Sequence, residues 1–344
     1  MAKFSANKLV MASVLLLGML ALQVSYVYMQ RQNGISKPTK RSVQINYNFT
    51  ISDIPSQAHD IRIWVPIPVS NEHQKMHNFQ VLASQSYQVV SELEYGNRFI
   101  VFDLMDTEFS DTNTIEITVN FDITRHVISR LHTHSAPEQA SKEQLARYLA
   151  ADRLTPIDGK IAQEALTVAG NINNPLKQVR RIYDHIVNTL TYDKSGTGWG
   201  RGDALYACDI RKGNCTDFHS LFIAQARALN IPARFIMGLS LPEDKTEGSI
   251  LGYHCWGEFY LTGKGWQPVD ASEASRFPQK KDQFFASLDE HRVAFTVGRD
   301  IKLPGSAVES LNYMIYPHVE IDGKSYNSIK TTFTFRNRLA TDNW

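Results

Sequence analysis

Apolar and polar residues alternate through SVQINYNFTI, where Val43, Ile45, Tyr47 and Phe49 recur at every second position. They do so again through IEITVNF, with Ile115, Ile117 and Val119. A period of two marks a strand with one buried face. Similar short runs at 60–66, 87–93 and 98–103 predict a β-rich domain over residues 43–130, most simply a sandwich. Beyond about residue 131 the period lengthens. Residues 143–151 and 157–168 read as helices. In 175–190, Val179, Ile182, Tyr183, Ile186 and Leu190 share one helical face behind Pro175, which stands where a first-turn proline is tolerated. Strands return from Tyr253 in HCWGEFYL, GWQPVDA, VAFTVG and TTFTF. This order predicts an α+β fold, with residues 131–344 forming helices packed on one side of an antiparallel sheet.

One segment obeys neither period. Residues 9–29, LVMASVLLLGMLALQVSYVYM, carry no charge and follow Lys3 and Lys8. About 20 apolar residues suffice to cross the hydrocarbon core of a bilayer. Residues 1–30 are therefore expected to be a membrane anchor or signal segment, and 31–42 a polar linker. No small-x-small cleavage site precedes Gln30, which favours a single uncleaved anchor. Arg31, Lys37, Lys40 and Arg41 beyond the segment match or exceed the positive charge before it, so charge alone does not set its orientation.

The rest of the composition is that of a globular protein, with 43% apolar and 21% charged residues. Lys and Arg total 36 against 35 Asp and Glu, which excludes the basic excess that holds nucleic acid. Cys208, Cys215 and Cys255 are odd in number and lack metal-ligand spacing. GTGWGRGD lacks the Lys-Ser or Lys-Thr ending of a phosphate loop, and no calcium loop is present. Neither cofactor nor metal is expected.

Candidate chemistry gathers in RKGNCTDFHSLFIAQARALNIPAR. Gly213 and Asn214 interrupt whatever precedes them, and Asn214 is a good N-cap. Cys215 then opens a helix whose buried face is Phe218, Leu221, Phe222 and Leu229. The unpaired amides at a helix N-terminus favour a thiolate there. In GYHCWGEFYL, strand alternation puts His254, Trp256, Glu258 and Tyr260 on one face and Cys255 on the other, in the core. A hairpin brings WQPVDAS back alongside, and an odd-length loop or a bulge sets Asp270 on the face of His254. Cys215, His254 and Asp270 thereby read as nucleophile, base and orienter.

GNCTDFHSLF, ALNIPAR leading into FIMGLSLP, YHCWGEFYL and GWQPVDAS together resemble the transglutaminase-like superfamily, specifically its exported or membrane-anchored bacterial members. The likeness extends more loosely over about residues 192–300. It implies a papain-like core and triad roles for Cys215, His254 and Asp270. It also implies a protein or peptide substrate and an extracytoplasmic, periplasmic catalytic domain on a single-pass anchor. The oxyanion of acyl transfer needs donors. The Cys215 amide is the natural first donor, and Trp199 or Tyr192 is the candidate for a second. A thioester could pass to water, as in a peptidase or amidase, or to an amine, as in a cross-linking transglutaminase. Hydrolysis is the expectation for a bacterial member. A fold that has kept its triad but serves only for binding is the rival of another class. Sequence gives no oligomeric state.

Overall fold

The computed structural model describes residues 40–105, 113–128 and 139–338. The apolar segment at 9–29 and most of the polar linker lie outside them. Among the described residues no helix is long and apolar enough to cross a membrane. The described residues form one compact unit.

The alternating segments become strands β1 (Lys40–Ile51), β2 (Asp60–Ile67), β3 (Gln74–Leu82), β4 (Gln88–Ser91), β5 (Arg98–Met105) and β6 (Ile115–His126). In β1 every second residue from Val43 to Ile51 is buried, as its period requires. The sequence pattern does not show β3. Asn78 there adopts a left-handed φ of 50°, and the pairing with β6 shifts register between His77 and Gln80. A bulge of this kind moves the following side chains to the other face, so alternation is broken within one strand.

Helices follow as α1 (Lys142–Ala146), α2 (Gly159–Ala169) and α3 (Pro175–Thr189). The last two lie close to the expected spans, whereas α1 stops at Ala146, five residues short, where the chain turns. The short strand β7 (Thr191–Tyr192), helix α4 (Ala204–Ile210) and strand β8 (Lys212–Gly213) lead into α5 (Cys215–Ala228). A four-stranded antiparallel sheet then forms from β9 (Ala233–Ser240), β11 (His254–Leu261), β12 (Gly265–Val269) and β13 (Arg292–Val297), in the order β12-β11-β9-β13. The strand β10 (Glu247–Ile250) leaves this sheet, and α6 (Ala271–Arg276) follows β12.

Helix α5 was expected to bury one face, yet every residue from Cys215 to Arg227 is buried. A helix covered all round is a central core element. Its position against β11 is set by Gly257, where a Cβ would lie 3.3 Å from the Phe222 ring and from Val269. Glycine at that point lets helix and sheet approach closely.

The last strands, β14 (His318–Ile321), β15 (Lys324–Tyr326) and β16 (Ile329–Asn337), return to the beginning of the chain. Strand β16 pairs with β1 and β10 in the sheet β10-β16-β1-β6-β3, and β14 pairs with β2 in the sheet β15-β14-β2-β5-β4. The boundary read at 130/131 therefore separates two stretches of sequence without separating their sheets.

Candidate active site

Helix α5 starts where a capping box holds it. The Asn214 side chain accepts from the Thr216 amide at 2.9 Å, and the Asp217 carboxylate accepts from the Asn214 amide at 2.9 Å. Gly213 cannot carry a side chain here, because a Cβ would lie 2.3 Å from Asp217 Oδ2. Cys215 is thereby fixed as the first helical residue, buried, with its amide among the orphan donors of the helix end.

Asp217 also explains the glycine-rich stretch before the helix. Its two oxygens accept from the amides of Gly200 at 2.7 Å and Gly202 at 3.0 Å. The carbonyls of the same loop are held from the other side. Tyr313 Oη donates to Gly200 O at 2.8 Å, Asn312 Nδ2 to Arg201 O at 2.7 Å, and Arg299 Nη2 to Gly202 O at 3.0 Å. The buried Arg299 also donates to Ser220 Oγ on α5 at 2.6 Å. The loop is thus clamped to the helix that carries Cys215, a structural role that its sequence had not disclosed.

The hairpin from β11 to β12 pairs Leu261 with Gly265 across a three-residue loop, Thr262 to Lys264. With this odd-length loop, the register Gly257 to Val269 puts Asp270 on the His254 side of the hairpin. His254 Nε2 donates to Asp270 Oδ2 at 2.6 Å. Its other nitrogen is left for Cys215, with which the ring shares a hydrogen bond. All three residues selected from the sequence therefore meet. Asp270 is further tied by Ser272 Oγ and the Glu273 amide, both at 3.0 Å, and by the buried Arg292, whose Nη2 donates to Oδ2 at 3.3 Å.

Electrostatics follows from these contacts. Burial opposes charge on Asp270, but the His254 and Arg292 cations outweigh it and hold the carboxylate ionised far below its usual range. Burial likewise opposes charge on His254. The Asp270 charge and the hydrogen bonds to Asp270 and Cys215 prevail, raising the imidazole to about 10. The Cys215 thiol is held well below its ordinary value by contact with the Cys255 thiol and by His254, against the opposing effect of burial. A thiolate next to an imidazolium, oriented by a carboxylate, is a nucleophile ready for a carbonyl carbon.

Cys255 is buried in the core, as its place in the strand predicts. It lies on the strand face opposite His254, and that face, with Gly257 and Phe259, is the one packed on α5. The Phe222 and Phe259 rings stand 6.3 Å apart there. Cys255 therefore adjoins Cys215 instead of lying away from it. His254 reaches the same sulfur from the first position of the strand. His219, one turn along α5, completes the group. It is fully buried, 3.7 Å from Cys255 Sγ through Nδ1 and 3.6 Å from Asp270 Oδ1 through Nε2.

Of the two candidate second donors, Trp199 gives its indole N–H to Gly196 O at 3.2 Å. The Tyr192 ring packs on Phe218, under Arg276 at 5.0 Å, close enough to Cys215 to feel its charge. The Tyr253 hydroxyl accepts from Asn214 Nδ2, on the cap itself, at 3.1 Å. Among the described residues no cluster of His, Cys, Asp and Glu has metal-binding geometry.

Residues 163–271, from α2 to the first residue of α6, match the model of the transglutaminase-like superfamily. The matched segment is similar to the transglutaminase-like core, and Cys215, His254 and Asp270 all fall within it. An uncharacterized protein of Haemophilus influenzae is 28% identical over 303 residues, 77% of this chain and 82% of that one. Another, from Mycobacterium leprae, is 25% identical over 228 residues, 63% of this chain and 73% of its own. The solved structure of a candidate cysteine protease from Cytophaga hutchinsonii shares the fold. Its TM-score is 0.59 at 17% identity, over 88% of this chain and 99% of that one.

Proposed function

We propose that the protein is a cysteine-dependent acyl-transfer enzyme that hydrolyses peptide or amide bonds. The reading rests on the Cys215 thiol, which sits at a helix N-terminus against a His254 that is itself bonded to Asp270 at 2.6 Å. In this reading the Cys215 thiolate attacks the substrate carbonyl and the leaving amine takes a proton from His254. Water activated by His254 then discharges the thioester. The Cys215 amide is the first donor to the oxyanion. The superfamily match and the fold shared with a candidate cysteine protease support the class.

A cavity of about 480 Å³ adjoins the Asp270 side of the site. Arg292 and Glu273 belong both to its wall and to the contacts of Asp270, while Lys245, Lys280 and Glu243 bring further charge of both signs. A polar, extended peptide suits such a wall better than an apolar ligand does.

The test is incubation of the protein with a peptide library and analysis of the products by mass spectrometry. Bond cleavage or loss of ammonia in water supports hydrolysis, and incorporation of an added amine in preference to water would reassign the activity to cross-linking. Products identical to those of Cys215→Ala would leave only a binding role.

The same sequence supports a location. Residues 9–29 are read as a single-pass anchor that holds the catalytic unit outside the cytoplasm, because they are uncharged over a bilayer-spanning length. The two five-stranded sheets, whose apolar faces join one core, are read as the sandwich module expected from the sequence. Removal of residues 1–39 should shift the protein from the membrane to the soluble fraction with its melting transition intact. Retention at the membrane would contradict the anchor.

A further inference from the structure

We propose that Cys255 is a second catalytic thiol, donating its S–H to the Cys215 sulfur while His219 holds it in place. The inference rests on the reading of Cys215 as the nucleophile.

The proton positions follow from one bond. The Ala271 amide points at His219 Nε2 at 3.0 Å, and a backbone amide can only donate. Nε2 therefore carries no proton, and the buried ring, which has its charged form disfavoured, is the neutral tautomer protonated on Nδ1. Nδ1 faces Cys255 Sγ at 3.7 Å, and the same ring reaches the Cys215 backbone. A protonated Nδ1 cannot accept from a thiol. The Cys255 sulfur is thus the acceptor on that side, and its own proton remains free for the neighbour it touches, Cys215.

The two thiols are driven apart in character by the same contact. Cys255 is pushed well above the ordinary thiol range, first by burial and then by Cys215, and so stays protonated and able to donate. Cys215 receives that hydrogen bond together with the one from His254. Charge-assisted donors of this kind are the strong ones, although S–H is the weakest of them. The groups facing the sulfurs from other elements do not supply this proton. Asp217 and Asp270 are carboxylates whose charge helps to keep the proton on Cys255, and Asp217 is itself repelled by the Cys215 charge. Tyr192, Tyr253 and Tyr313 lie within range of the Cys215 charge, each with its hydroxyl held neutral by burial. Arg292 and Arg299 act from behind Asp270 and Cys255. Cys255 is therefore the group that adjusts the thiolate without adding a second formal charge.

The experiment is the pH dependence of Cys215 alkylation by iodoacetamide on the full chain, resolved by peptide mass spectrometry. It compares wild type with Cys255→Ala, Cys255→Val and Cys255→Ser. Loss of the donor in Cys255→Ala should move the thiolate midpoint upward and slow labelling on the acid side about tenfold, the lower end for a hydrogen bond to a charged group. Cys255→Ser, which keeps a donor, should retain most of the wild-type rate. Cys255→Val refills the space without a donor and should behave as Cys255→Ala, so a fold that fails in one variant can be read in the other. An unchanged midpoint in a folded Ala or Val variant would overturn the inference and leave the nucleophile intact. Ordinary thiol behaviour of Cys215 in the wild type, with a midpoint near 9, would overturn both the inference and the reading beneath it.

Discussion

Asp270 Oδ2 and His254 Nε2 are 2.6 Å apart, which leaves His254 one nitrogen, Nδ1, to face Cys215. Asp270 thus sets the tautomer as well as the charge of the base. Asp270→Asn preserves shape while removing the charge that supports the imidazolium. Turnover should fall more than about tenfold but stop short of the complete loss expected for Cys215→Ala. Steady-state kinetics on any substrate found by the library measures both. Equal loss in the two variants would mean that Asp270 does more than orient.

The pH dependence of thiol reactivity has a defined sign. A thiol held well below its ordinary value is already ionised at neutral pH, so its reactivity should be flat there and fall only as pH drops through the lowered value. The partner imidazole, raised to about 10, should keep its proton across the same plateau. Labelling of Cys215 should therefore show a plateau between about pH 6 and 8, where a free thiol near 8.5 rises about tenfold per unit. Continuous rise through that window would contradict the ion pair.

Arg292 is the cation behind Asp270. With its side chain 4% exposed, it bridges Asp270 and Asp289, each at 3.3 Å. Arg292→Met would strand a buried carboxylate and should cost about 3 kcal/mol or more in denaturant unfolding. A shift below about 1 kcal/mol would show that His254 alone compensates Asp270.

Asp217 ties the glycine loop to the nucleophile helix through three amides. Asp217→Ala releases all of them and should lower stability by about 3 kcal/mol, whereas Asp217→Asn keeps one acceptor oxygen and should lose less. Calorimetry orders the two variants, and equal losses would argue that charge, not acceptor geometry, holds the loop.

Much of this site was legible because its signals are local. The start of α5 follows from Gly213-Asn214, and the meeting of His254 with Asp270 follows from strand parity and a short loop. Asp217, three residues after the cap, completes a capping box that the sequence displays but that the reading of Cys215 overlooked. Other features have no local signal. The pairing of β16 with β1 joins residues nearly 300 positions apart, as Val43 opposite Asn337 shows. Arg292 and Arg299 are charges inside a sheet and its following turn, indistinguishable in sequence from solvated ones. Cys255 shows a subtler limit: parity correctly separated it from His254, but parity cannot say which strand face will be covered by the nucleophile's helix.

Whether Cys215 is the nucleophile is decided by which atom carries the acyl group. Wild-type protein mixed with an activated acyl ester, quenched in acid and mapped by peptide mass spectrometry, should carry the acyl group on Cys215, removable by hydroxylamine as a thioester is. His254→Ala should acylate far more slowly, and Cys215→Ala should not acylate at either remaining cysteine at a comparable rate. Acylation of the wild type first at Cys208 or Cys255, or of Cys215→Ala as fast as wild type, would contradict the assignment of Cys215 as nucleophile.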